Sequence, residues 1–337
     1  MLILFPWSLG GMLILTSHQY VTEPNQPYSK NLAASPFWNT GPQSQTFGLE
    51  PNYPCCTVNH PQGYPKFLMY SFLRNGKNGI VHSLLSPGKV QTEVQGKSVS
   101  IDCKTDYPFG SVLSYTIESK ANFQLYLRVP AWAKKATLQN KTAEVDPKTG
   151  LIEVKITPGT TNLRYEVGME LTATPRANDT VAVYRGAVLY AFYIEPKISS
   201  GPPKHFDNKT EYAAGTYPSQ AKDFTLLNTT AWNIAIDPST LAYHPGSGSI
   251  PSKGVFEDGK LPMSITVKAC HIEWPLFLGA VPDSPIPKNK RKCLGETFEA
   301  VLRPYGSAKL HMSDLPTIDL SRYQSRDNGR TREKVLS

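Results

Sequence analysis

Cysteine is scarce in this chain of 337 residues, which has five: Cys55, Cys56, Cys103, Cys270 and Cys293. So small and odd a set excludes a disulfide framework as the basis of the fold. Cys103 shares the apolar phase of Val99 and Ile101 and is expected to be buried. Cys270 and Cys293 read equally as a disulfide, if their strands meet, or as two reduced core thiols. A run able to cross a membrane is also lacking. Residues 1–17 are apolar and uncharged, yet too short to span and without the basic start of a secretory leader. They read as an alternative start or the edge of a gene model, with a weak signal peptide as the second reading. Charged residues make up 18% of the chain, and the formal net charge is +8. That excess has no nucleic-acid pattern. Lys288, Lys290, Arg291 and Lys292 form a loop that should be solvated, and Arg322, Arg326, Arg330, Arg332 and Lys334 lie in 319–337, which reads as a basic disordered tail. Neither is a basic helix or an aromatic-interleaved strand face, so nucleic acid is excluded as a partner.

What the chain does have is punctuation, with 29 Pro and 24 Gly. Such density suits many short strands, and an apolar share of 40% leaves material for a core. Residues 18–60 are rich in Pro, Asn, Ser and Gln without a sustained period and read as ordered loops. Pro65 suits a first helical turn, Phe67, Leu68, Ser71 and Phe72 make an apolar stripe, and Asn75-Gly76 supplies a stop, so a helix is expected between them. From Ile80 the period becomes two. Phe123, Leu125, Leu127 and Val129 alternate with polar neighbours, as do Ile152, Val154 and Ile156, and Asp146-Pro147-Lys148-Thr149-Gly150 between these runs is turn chemistry. A second sheet domain starts near Arg176, with strand patterns at Val181 to Ile194, a loop from 195 to 223, and strands again at 265–267, 272–274 and 298–302. The fold class is mainly β, with two antiparallel β-sandwich domains in series over 76–175 and 176–318.

The chemistry-bearing feature is the adjacent pair Cys55 and Cys56, in Asn52-Tyr53-Pro54-Cys55-Cys56-Thr57-Val58-Asn59-His60. Vicinal disulfides are strained. Two neighbouring thiols offer two thiolates to one soft metal, or one nucleophile beside a metal-bound sulfur, unless they are merely inert buried thiols. A tetrahedral zinc site needs two further Cys, His or Glu ligands. Asn59 reads as a helix-entry or turn residue that positions the pair, and His60 and His18 as surface or turn residues before ligands.

The text around the pair, from Gln19-Tyr20-Val21 through Pro36-Phe37-Trp38-Asn39 and Gln45-Thr46-Phe47-Gly48 to Cys55-Cys56-Thr57-Val58-Asn59, resembles the end of the catalytic domain of glycoside hydrolase family 127 (GH127). These enzymes are the β-L-arabinofuranosidases and their relatives. Asp106-Tyr107-Pro108-Phe109, Leu127-Arg128-Val129-Pro130-Ala131-Trp132, Val181-Ala182-Val183-Tyr184-Arg185-Gly186 and Leu302-Arg303-Pro304-Tyr305-Gly306 resemble its two sandwich segments, in a fungal-type branch. The resemblance covers 18 to about 318. It implies that 18–75 is a loop-rich remnant and last helix of an (α/α) barrel, truncated before most of the catalytic domain. By position Cys55 matches the nucleophile, which is also a zinc ligand, Cys56 a second zinc ligand, and Tyr20 a substrate-contacting tyrosine. In intact relatives the thiolate attacks the anomeric carbon, and water then releases the sugar from a glycosyl-cysteine with retained configuration. Zinc would keep the thiol deprotonated there.

The departures matter as much. Only Glu23 and Glu50 precede Cys55 as glutamates, and neither stands in the Glu-x-Cys element that completes the family's zinc site. An acid/base Glu and two zinc ligands are thus expected to be missing, with zinc weak or absent. Three readings follow: a retaining glycosidase acting on an arabinofuranoside-type glycan, a truncated inactive relative, or a carbohydrate-binding sandwich protein using Trp132, Trp232 and Trp274 as exposed aromatics. An uncovered barrel-facing surface would promote self-association. Intact relatives are expected outside the cell, and sequons at Asn140, Asn178, Asn208 and Asn228 agree with a secreted ancestry.

Overall fold

The computed structural model describes residues 23–32, 35–38, 41–42, 44–48, 59, 62–205, 210–217, 222–251, 254–257, 259–321 and 323. These fall in two compact units. One is built from the described residues of 58–170 with 185–188, the other from those of 8–57, 171–184 and 189–337. Residues 1–17, His18, Asn208 and the tail beyond 323 lie outside the described residues.

The first unit pairs two sheets. One contains, in order, Leu151–Ile156, Phe123–Arg128, Gly79–His82 and Phe72–Asn75. The other contains Gly88–Val94, Lys97–Thr105, Val112–Ser119, Gly159–Val167, Ala136–Leu138 and Lys141–Thr142. Alternation sets which face is buried: Phe123, Leu125 and Leu127 join Ile101, Leu113, Ile117, Ile152, Ile156 and Tyr165 in one core, while Arg128 stays exposed. Each such side chain contributes about 1.5–3 kcal/mol through burial, so slipping one strand by a residue would forfeit its whole inward set. Cys103 is buried here, as its phase implies.

Phe123–Arg128 is antiparallel to Leu151–Ile156, with Phe123 opposite Ile156, but parallel to Gly79–His82. It is the one parallel pairing among the described strands of this unit. Between the two strands the chain runs through three strands of the other sheet, a connection long enough to return it in the same direction.

The helix is shorter than its apolar stripe suggested. It covers Gly63–Met69 and buries none of its residues. Phe72–Asn75 is instead a strand, hairpinned to Gly79–His82 with Asn75 opposite Gly79. Asn75-Gly76 is therefore a hairpin turn with Gly76 at φ +62°, a conformation that signals a strand reversal as readily as a helix stop. Phe72 stacks on the His82 ring at 4.2 Å, so a residue assigned to a helix stripe anchors a sheet.

The second unit holds a ten-stranded sheet whose main path runs Asn25–Gln26, Leu310–Met312, Val188–Ile194, Phe298–Pro304, Ser264–His271 and Ile234–Ile236. Val183, Tyr190, Ile194, Ile265, Val267, Leu302 and Leu310 are buried in its core. Pro196–Gly201 pairs antiparallel with Asp223–Asn228, so part of the expected loop from 195 to 223 is a strand. Its pairing partner lies more than twenty residues on, beyond any local signal.

Cys270 and Cys293 form a disulfide across a separation of 23 residues, resolving the open alternative. Arg291, expected in a solvated loop, is buried. Its guanidinium donates to the carbonyls of Asn178, Asp179, Ile286 and Thr317 at 2.6–2.9 Å, the use of five fixed donors for which Arg is suited.

Candidate functional site

Cys55, Cys56, Tyr20 and His60 lie outside the described residues. Asn59 is exposed and helical. Of the aromatics read as a carbohydrate platform, Trp232 and Trp274 are only 8% and 5% exposed. Their rings lie 5.4 Å apart, and the Trp274 indole N–H donates to the Asp283 carbonyl at 2.6 Å. They are core residues of the second unit, which corrects that reading. Trp132 is half-buried and lies against Gly186, where any Cβ would come 3.2 Å from its ring.

Both units bury a histidine. In the first, His82 Nδ1 lies 2.8 Å from the Tyr115 hydroxyl, and burial drives the imidazole down to about 3. Burial also pushes the Cys103 thiol up to about 12, with its hydrogen bond to Tyr115 acting the other way. A thiol that stays protonated is neither nucleophile nor ligand, so this cluster is structural.

The second unit holds an open cleft of about 380 Å³. Its construction begins with the short strand Asn25–Gln26, which pairs with Leu310–Met312. The Asn25 side chain clamps the following residues. Its Oδ1 accepts from the Ser313 and Asp314 amides at 2.9 and 3.0 Å, and its Nδ2 donates to the Asp314 carbonyl at 2.9 Å. Ser313 Oγ donates to the Pro24 carbonyl at 2.6 Å. The Glu23 carbonyl lies 2.9 Å from both the Tyr305 hydroxyl, which donates to it, and His311 Nε2. Glu23 is thus fixed by backbone and side-chain contacts on both sides.

The residue is 6% exposed. Oε1 accepts from Gln45 Nε2 at 2.9 Å, while Oε2 has no hydrogen-bond partner among the described residues. Burial raises this carboxyl to about 7, only partly offset by the Gln45 hydrogen bond. Burial and the Glu23 charge raise the Tyr305 hydroxyl, and burial lowers His311. Beside Glu23 the cleft presents Arg176 and Asp314, 3.7 Å apart between Nε and Oδ1. Arg176 also donates to the Tyr184 hydroxyl at 3.0 Å. Pro24, Ala182 and Leu189 supply apolar lining. Sequence reasoning missed this cleft. Glu23 registered only as a glutamate in the wrong setting, and Tyr305 only as part of a sandwich phrase, because their partners lie up to 288 residues away.

Residues 79–154 match the family model described as the middle domain of GH127 β-L-arabinofuranosidase, which makes the chain GH127-like over that segment. No curated protein matches it. Among solved structures it is similar to a glycoside hydrolase at 17% identity, with a TM-score of 0.56, covering 90% of this chain and 45% of that one; this likeness shows the fold. It is also similar to a GH127 β-L-arabinofuranosidase from Geobacillus stearothermophilus T6, at 19% identity and a TM-score of 0.48, covering 75% of this chain and 35% of that one. A further GH127 β-arabinofuranosidase matches at 15% identity and a TM-score of 0.47, covering 84% and 43%. The chain spans less than half the length of each of these structures.

Proposed function

We propose that this chain is a β-L-arabinofuranosidase-type glycoside hydrolase polypeptide that carries Cys55 in the nucleophile position and Cys56 as its partner in half a zinc site, without hydrolytic turnover of its own. The match of residues 79–154 supports the family reading. The observation that carries the second half is the fate of the other sulfurs: Cys270 and Cys293 are joined to each other, and Cys103 is buried with its thiol held protonated. With those three engaged, Cys55 and Cys56 are the two of the five cysteines left as sulfur ligands, and no Glu-x-Cys element stands beside them. Completing a four-ligand zinc site would therefore take two His or Glu side chains.

Zinc is accordingly held weakly or not at all, and any carbohydrate is bound without being cleaved. The carbohydrate-binding alternative loses Trp232 and Trp274 as its support. The helix Gly63–Met69 supports self-association, because Tyr64, Phe67 and Met69 are 51%, 48% and 70% exposed, an apolar face that water disfavours. No helix among the described residues is long and apolar enough to cross a membrane.

The test is release of L-arabinose from 4-nitrophenyl β-L-arabinofuranoside by the purified chain. No release above buffer is expected. Turnover that disappears in Cys55→Ser would show a complete site and overturn the reading.

A further inference from the structure

We propose that Asn140 carries an N-linked glycan that shields the edge of the six-stranded sheet in the first unit. The chain holds four sequons, at Asn140, Asn178, Asn208 and Asn228, of which Asn208 lies outside the described residues. Modification engages two groups, the Asn Nδ2 that takes the sugar and the Ser or Thr hydroxyl two residues on. Asn140 presents both. Gln139 and Asn140 form the two-residue turn between Ala136–Leu138 and Lys141–Thr142, with Leu138 opposite Lys141. Their φ angles of +49° and +63° are a hairpin geometry that Asn tolerates. Asn140, Lys141 and Thr142 are all exposed. Arg164 Nη1 donates to Asn140 Oδ1 at 2.8 Å, while Nδ2 and the Thr142 hydroxyl have no partner among the described residues.

The other two described sequons are engaged by the fold. Asn228 is half-buried, its Nδ2 donates to the Thr230 carbonyl at 3.1 Å, and Thr230 Oγ1 accepts from the Glu195 amide at 3.4 Å. Thr180, which supplies the hydroxyl of the Asn178 sequon, is 7% exposed and donates to the Ala177 carbonyl at 2.9 Å. A second observation supplies the setting. The Cys270–Cys293 link belongs to an oxidising compartment, the route on which a polyprenyl diphosphate oligosaccharide is met as donor. Asn140 Nδ2 bonds to the donor's anomeric carbon and gives up one proton. The bond from that carbon to the diphosphate oxygen breaks, and its electron pair leaves with the polyprenyl diphosphate. The position also gives the glycan a use. Lys141–Thr142 is the last strand of its sheet, and an open edge is a template for pairing with other chains. A bulky, solubilising group one residue away blocks such pairing. None of this depends on the glycosidase reading.

The test is peptide mapping of the full chain, expressed behind an added secretory leader in insect cells and recovered from cells and medium. Enzymatic removal of N-glycans leaves an aspartate wherever a glycosylated asparagine stood. The expected result is conversion at position 140, with one glycan lost from the intact mass in Asn140→Gln and in Thr142→Ala. Thr142→Ala keeps the native turn residue, so the test stands if Asn140→Gln fails to fold. An unconverted Asn140 overturns the proposal, whether or not the Cys270–Cys293 link is found in the same digest, and so does conversion confined to Asn178, Asn208 or Asn228. Light scattering then reads the shield. Thr142→Ala should associate more than wild type, and equal association overturns the shielding role.

Discussion

Replacing Glu23 by Gln should make the second unit more resistant to unfolding at alkaline pH and change little at acid pH. The carboxyl stands at about 7 in the folded chain against an ordinary value of 4.5. Between those values the native state holds a proton that the unfolded state releases, so wild-type stability falls as pH rises through the window and levels off above about 7. At about 1.4 kcal/mol per pH unit, the full interval amounts to about 3 kcal/mol. Gln carries no charge at any pH and preserves the acceptor facing Gln45, so the variant lacks this loss. Any constant cost of its amide cancels when two pH values are compared, and Tyr305, raised from an ordinary value of 10, stays protonated across this window. Urea unfolding at pH 4.5 and pH 8, followed by fluorescence of the buried Trp232 and Trp274, reads the effect. The stability difference, variant minus wild type, should grow by about 2–3 kcal/mol between the two. Parallel pH dependence in the two proteins would refute a buried, underpartnered Glu23.

Three further outcomes follow from named contacts. Cys270→Ser/Cys293→Ser opens a link spanning 23 residues and should cost the second unit about 3 kcal/mol in denaturant unfolding. Arg291→Met takes the guanidinium from four carbonyls, of which that of Asp179 keeps Thr317 as a donor, so a loss of about 3 kcal/mol is expected by the same assay; Arg291→Lys should recover only part of it, since one ammonium cannot reach all four. Phe67→Glu/Met69→Lys should shift the chain toward monomer in light scattering at constant helix content, whereas an unchanged mass would mean that this face does not mediate association.

Much of the first unit was legible because its strands are half-buried. Phe123, Leu125 and Leu127 alternate with polar residues precisely where one face meets a core, and period alone carries that information. The end of the helix was not legible, because Phe72 fits a helical stripe and a strand equally until His82 is known to stack on it. Arg291 and the tryptophans failed for a related reason: a cation among prolines and an indole in a strand-rich chain give no local sign of what tertiary packing will place over them. The cleft was least legible of all. Glu23, Arg176, Tyr305 and Asp314 come from three distant stretches, and no spacing rule joins them. The cysteine pair was the reverse case, conspicuous in sequence and beyond the described residues in structure.

The most direct test of the central claim is the zinc content of the purified chain after extensive dialysis, for wild type and Cys55→Ser/Cys56→Ser. The account predicts no tightly held zinc in either, because two thiolates do not complete a four-ligand site. About one zinc per chain in wild type, lost in the double variant, would contradict it and mean that a complete site forms around Cys55 and Cys56.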